Sequence, residues 1–276
     1  MPRIINGLSD VFGLYEGFIL DLWGVVHDGA APFPGTLPAL TALKKSKRKV
    51  WLLSNAPRRC HAVVEKLSGM GIGEDLYDGI LTSGEACHEA LRDSLLAKWG
   101  RRCLHIGCPV RDSSLYEGLD IAPVRNPAEA DFVLCSGVMD FSDPAEKYRP
   151  LLQDCARRQL PMLCANPDRV VHIENKLVIC AGTLADMYQA LDGTVTYFGK
   201  PYRGVYTHCL QKIGEGRVLA VGDSMRTDIA GATGAGLDSL LVTSGIHREE
   251  LAGGSVEKFL RGYPYQPSYI VQSFGW

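Results

Sequence analysis

Four short segments of this chain end an apolar run with residues able to do chemistry. FILDLWGVVHDG carries Asp21 and Trp23, WLLSNAP carries Ser54 and Asn55, YFGKP carries Lys200, and LAVGDSMRTD carries Asp223 with Asp228 close behind. In open parallel sheets, ligands bind beyond the carboxyl ends of the strands. Segments of this form would therefore bring three carboxylates, one hydroxyl and one ammonium to one sheet edge. Clustered carboxylates repel one another unless a cation joins them, and hard oxygen ligands suit magnesium. A lysine and a helix N-terminus beside that cation suit a phosphate dianion. As a set these residues point to phosphoryl transfer. Singly they have plainer roles: Asp228 as a helix cap, Ser54 and Asn55 as helix-start residues before Pro57, and Lys200 as a solvated loop lysine.

The elements that must position these residues are legible as an alternation. Apolar runs at residues 18–23, 50–53, 79–81, 195–198, 218–221 and 240–242 read as buried strands. Stretches of helical period at 37–45, 58–70, 85–99, 203–213 and 228–235 lie between them. Strands apolar on both faces and separated by helices predict an α/β fold, a doubly wound parallel sheet. Between about residues 86 and 190 the pattern continues with shorter strands at 102–106, 132–135, 162–165 and 177–179. Helices at 111–117, 145–158 and 184–191 accompany them. The simplest organisation is a core of residues 1–85 and 191–276 with a second α/β unit, residues 86–190, inserted as a cap. Residues 268–272 read as a last core strand.

Composition narrows the function classes. The 276 residues are 46% hydrophobic and 22% charged, enough to bury a core of ordinary size. A formal net charge of −2 gives no electrostatic reason to expect nucleic acid or an anionic membrane as a partner. No run approaches the ~20 apolar residues of a membrane-spanning helix, and the N-terminus lacks a signal core. Nine cysteines without a CxxC spacing fit free thiols in a reducing cytoplasm better than a disulfide framework. Gly69, Gly71 and Gly73 follow a helix instead of opening one, so they read as a helix stop and not a dinucleotide loop.

DLWGVVHDG, LLSN, GKP and GDSMRTD, in that order, resemble the four signature motifs of the haloacid dehalogenase (HAD) superfamily. The long insertion containing Asn166-Pro167-Asp168 resembles the large cap of its NagD-type (class IIA) sugar and nucleotide phosphatases. The resemblance implies Asp21 as a nucleophile that becomes an aspartyl phosphate, Ser54 as a ligand of a phosphoryl oxygen, and Lys200 as the neutralising cation. It implies magnesium held by Asp21, Asp223 and the backbone carbonyl of Trp23, with Asp228 completing or orienting the shell. Asn55, Asn166 and Asp168 are the implied substrate contacts, and a small phosphorylated metabolite is the implied partner. Self-association is left open.

One position departs from the family. Its phosphatases carry a second aspartate two residues after the nucleophile as general acid and base, and here that residue is Trp23. A backbone carbonyl survives the exchange, but an indole N–H is no useful acid, and general acid catalysis is typically worth ~10²–10⁴ in rate. His27 and Asp28 are candidate substitutes, although a His-Asp-Gly loop is more often turn chemistry. Two further readings follow: a HAD enzyme whose Asp21 attacks another electrophile, and a non-catalytic binder of a phosphorylated metabolite.

Overall fold

The computed structural model describes residues 2–173 and 176–276. The chain forms two compact units. One comprises residues 2–54, Val63–Leu81 and Lys200–Trp276; the other comprises Asn55–Ala62 and Thr82–Gly199.

The first unit holds a seven-stranded sheet in the order β1 (Arg3–Ile4), β14 (Tyr269–Val271), β13 (Asp238–Val242), β12 (Val218–Gly222), β2 (Gly17–Leu20), β3 (Lys49–Ser54), β4 (Gly79–Thr82). The pairs β1/β14, β14/β13, β13/β12, β12/β2 and β2/β3 run parallel. Every residue of β2 and of β12 is buried, which is why these strands read as unbroken apolar runs: both faces are covered. From β2 the chain steps outward through β3 to β4. It returns on the other side of β2 as β12 and then steps through β13 to β14. The strand order therefore reverses between β2 and β12, and Leu20 pairs with both Val221 and Leu52 across that point. Such a switch point opens a crevice beyond the strand ends.

The second unit contains a five-stranded parallel sheet, ordered β11 (Val195–Tyr197), β8 (Met162–Cys164), β7 (Phe132–Cys135), β5 (Arg102–Ile106), β6 (Ala122–Val124). A separate antiparallel pair joins β9 (Val170–Ile173) to β10 (Lys176–Ile179). Its core gathers Val133, Cys135, Leu152, Met162, Leu184 and Tyr188, all fully buried.

The doubly wound α/β class stands, with local corrections. Residues 195–198 were expected among the strands of the first sheet, yet β11 pairs with β8 in the second. An apolar run announces a buried strand but not which sheet receives it. The first strand was expected to reach residue 23 and stops at Leu20. Beyond it, Val26 and His27 donate their N–H groups to the Leu22 carbonyl, and Gly24 donates to the His27 carbonyl, closing a tight loop. The helix expected at 111–117 is only a short 3₁₀ turn, Ser113–Tyr116. No helix among the described residues is long and apolar enough to cross a membrane. Among the described residues no disulfide joins any of the nine cysteines, and seven of them are buried.

Candidate active site at the strand switch point

Asp21 follows β2 and Asp223 follows β12, so the reversal of strand order sets their side chains at neighbouring strand ends. The Asp21 N–H still donates to the Val221 carbonyl at 2.9 Å, which holds the first residue of the loop in sheet register. Asp228 comes from the helix that opens after β12. Its Oδ2 accepts the Ser224 N–H at 3.1 Å, so the carboxylate is anchored to the turn that carries Asp223. Lys200 is the first residue of the chain's return to this unit, and its peptide to Pro201 is cis. Its ammonium donates to Asp21 Oδ1 and, at 2.8 Å, to Asp228 Oδ1. Ser54 ends β3, the strand beside β2, and is also buried.

Asp21, Asp223 and Asp228 each offer an oxygen within 4.8 Å of the others, all from buried side chains. With Lys200, 3% exposed, the four groups would sum to two negative charges if all were ionised, where water hardly reaches. Burial first, then the charges of Asp21 and Asp228, push the Asp223 carboxyl well above the usual carboxylate range, against the pull of the Ile246 N–H and Lys200. A buried oxygen cluster short of positive charge fits a hard divalent cation. The backbone comes in close here. Gly24 lies at φ +87°, and a side chain on it would run into the Asp223 carboxylate. Only glycine combines that dihedral with that space.

Trp23 does not lie on the strand. Its ring packs on Gly29, a second left-handed glycine at φ +101°, meets the His27 ring edge to face at 5.5 Å, and carries the Lys66 ammonium over its face at 5.0 Å. Residues two apart on a strand share a face, which would point Trp23 the same way as Asp21, but the strand has already ended at Leu20 and the alternation does not apply. The two candidate substitute acids are committed to the loop itself. His27 Nδ1 accepts the Gly29 N–H at 2.9 Å, so the ring is neutral with its proton on Nε2. Burial, then the charge of Lys66, push it down to about 4. Exposed Asp28 accepts the N–H groups of Ala31 and Ala30 at 2.8 and 2.9 Å, and those bonds hold its carboxyl below the usual range. Both residues do turn chemistry.

Asn55, Asn166 and Asp168 come together in the second unit. Asn55 Nδ2 donates to Asp168 Oδ1 at 2.9 Å, and the Asp168 N–H donates to Asn166 Oδ1 at 3.0 Å. Two contributors carry no catalytic signature in the sequence. Lys66 sits on the helix Cys60–Gly69, where nothing local distinguishes it from a surface lysine. Residues 243–247 follow β13, and the Ile246 N–H donates to Asp223 Oδ2 at 2.7 Å. The rule of inspecting strand ends marks this segment, but it offers a backbone donor and no carboxylate.

Comparison with known proteins agrees with this geometry. Residues 18–121 match the family described as haloacid dehalogenase-like hydrolase, and residues 197–276 match one described as HAD-hydrolase-like. Dihydroxyacetone phosphatase of Corynebacterium glutamicum is 30% identical over 265 residues, covering 93% of this chain and 88% of the relative. D-glycerol 3-phosphate phosphatase of Mycobacterium tuberculosis is 26% identical over 240 residues; the match takes in 84% of this chain but spans only 64% of that relative's length. A haloacid dehalogenase-like family hydrolase from Brucella suis superposes with a TM-score of 0.84 at 33% identity, covering 98% of this chain and 100% of that one.

Proposed function

The chain belongs to the haloacid dehalogenase-like hydrolases of the NagD type, and on that footing we propose that it is a magnesium-dependent phosphatase of a small phosphate monoester, a sugar or nucleotide phosphate. The observation that carries the reading is the Lys200 ammonium bonded to both Asp21 and Asp228, with the Asp223 carboxylate beside them. Asp21 attacks phosphorus, the bond from phosphorus to the leaving oxygen breaks, and an aspartyl phosphate forms on Asp21. Lys200 holds the attacking carboxylate in place and offsets charge that gathers on the phosphoryl oxygens. Ser54 donates its hydroxyl to one of those oxygens. Water then cleaves the aspartyl phosphate and restores Asp21. Asp21, Asp223 and the backbone carbonyl of Trp23 would hold magnesium, with Asp228 orienting them. Bound there, the cation draws charge from the phosphoryl group.

Without an acid at position 23, and with His27 and Asp28 held by the loop backbone, the leaving oxygen departs with little protonation. Good leaving groups are therefore favoured. The two relatives named for D-glycerol 3-phosphate and dihydroxyacetone support a small substrate. Asn55, Asn166 and Asp168 remain our candidates for substrate contacts, and the inserted unit our candidate cap. Nine cysteines outside any disulfide support a reducing, cytoplasmic setting.

The test is a screen of phosphorylated metabolites with and without magnesium, on the native chain and on Asp21→Asn. Release of phosphate that needs both magnesium and Asp21 supports the reading. Phosphate release no faster than background in either protein would leave a non-catalytic phosphometabolite binder, the reading that Trp23 favours, and equal turnover above background would overturn the role of Asp21.

A further inference from the structure

His247 is buried, 6% exposed, between the aromatic rings of Phe259 at 4.8 Å and Tyr263 at 6.2 Å. Packing alone would explain an apolar residue there. A histidine does something an apolar ring cannot: its Nε2 accepts the Met225 N–H at 3.2 Å. Met225 is the first residue of the helix that carries Asp228, and Ser224 is its cap. The first N–H groups of a helix have no partner within it. Here Ser224 Oγ takes the Thr227 N–H at 3.4 Å, and an imidazole from the segment after β13 takes the Met225 N–H.

The same loop reaches the other carboxylate. The Ile246 N–H donates to Asp223 Oδ2 at 2.7 Å, and a side chain at Gly245 would collide with the Asp223 carboxyl group. Three consecutive residues, Gly245 to His247, thus brace both carboxylates that follow β12: Asp223 through backbone and space, Asp228 through the first turn of its helix. Since a backbone N–H always donates, Nε2 must accept, and the ring is neutral with its proton on Nδ1. Nδ1 lies 3.4 Å from Glu250 Oε2 without meeting hydrogen-bond geometry.

We propose that His247 is a positioning residue for the metal site: by accepting the Met225 N–H it fixes the turn between Asp223 and Asp228, and so sets the affinity for a divalent cation without touching it. The inference rests on the magnesium reading above. Residues that orient metal ligands from outside typically change affinity by ~10–100-fold when removed.

The experiment measures magnesium affinity by calorimetry without substrate, in the native chain, His247→Phe and His247→Gln. Phenylalanine keeps a ring among Phe259 and Tyr263 but accepts no hydrogen bond; glutamine keeps an acceptor. Affinity should fall by about 10-fold or more in His247→Phe and recover most of that loss in His247→Gln. Should the phenylalanine variant not fold, ¹⁵N spectra of the native chain during a magnesium titration replace it. Shifts at the His247 ring and the Met225 amide support the proposal, and resonances that stay fixed at saturation overturn it. Equal affinity in the native chain and both variants also overturns it while leaving the metal site intact. No magnesium binding by the native chain overturns the metal reading itself, and this one with it.

Discussion

The Lys66 ammonium lies over the face of the Trp23 indole, 5.0 Å from the ring centre, and its charge reaches the neighbouring His27. Burial is the larger reason that His27 sits at about 4, and Lys66 is the second. Lys66→Met removes the charge and keeps an unbranched apolar stem over the indole. The His27 midpoint should rise in that variant yet stay below its ordinary value, because burial persists. An NMR titration of the ring reads this directly. A midpoint that does not move would mean that Lys66 does not approach the loop in solution.

His27 also gives stability a pH dependence of known sign. Its folded value, about 4, lies below its ordinary 6.5, so over that interval the unfolded chain takes up the proton more readily. Stability should therefore fall as pH drops from about 6.5 towards about 4, by up to ~3 kcal/mol, since each tenfold difference in proton affinity between the two states is worth ~1.4 kcal/mol. His27→Gln should flatten this part of the curve in urea unfolding. Parallel curves for the two proteins would place the titration elsewhere.

Trp23 governs sensitivity to the leaving group. Aryl phosphates, whose alcohols leave without protonation, should turn over faster than alkyl phosphates. Trp23→Asp should raise the alkyl rate towards the ~10²–10⁴ that a general acid contributes and leave the aryl rate less changed. The indole also fills space against Gly29 and beneath Lys66, so the exchange leaves a cavity, and a second substitution that refills it belongs in the comparison. If the gap between ester classes stays as wide, another group already supplies the proton.

What the sequence revealed, and what it hid, divides along physical lines. Asp21 and Asp223, with Asp228 close behind, were legible because they follow apolar runs that become adjacent strands of the first sheet, and residues beyond such strand ends meet at a switch point. Lys200 was legible by the same rule, yet the run before it, β11, belongs to the second sheet, so the rule does not account for its place beside Asp21. The strands β2 and β12 were legible because burial on both faces leaves an unbroken apolar run. By contrast, β1 is two exposed residues, Arg3 and Ile4, with no apolar signal. The placement of β11 in the second sheet depends on its partner β8, which no local pattern encodes. Where the indole of Trp23 goes depends on Gly24 and Gly29 reversing the backbone through positive φ, so strand alternation fails one turn too early. Lys66 and His247 act through distant contacts, and their sequence neighbourhoods are those of ordinary helix and loop residues.

Metal binding should be coupled to protons. The Asp223 carboxyl is pushed well above the usual range by burial and by Asp21 and Asp228, so magnesium, which needs the ionised carboxylate, competes with protons there. Calorimetry in buffers of different ionisation heat should show proton release on binding. The apparent affinity should fall as pH is lowered. Binding without proton release would mean that the carboxylates are already fully ionised before the cation arrives.

If Asp21 carries the phosphoryl group, the group can be caught on that side chain during turnover. An aryl phosphate and magnesium are mixed with the protein, the reaction is quenched in acid within the first turnovers, and peptides are mapped by mass spectrometry. We expect a phosphoryl group on the peptide containing Asp21, acid-stable and labile to base as an acyl phosphate is, and none in Asp21→Asn. Turnover that proceeds with no phosphorylated peptide, or that persists in Asp21→Asn, would contradict the account.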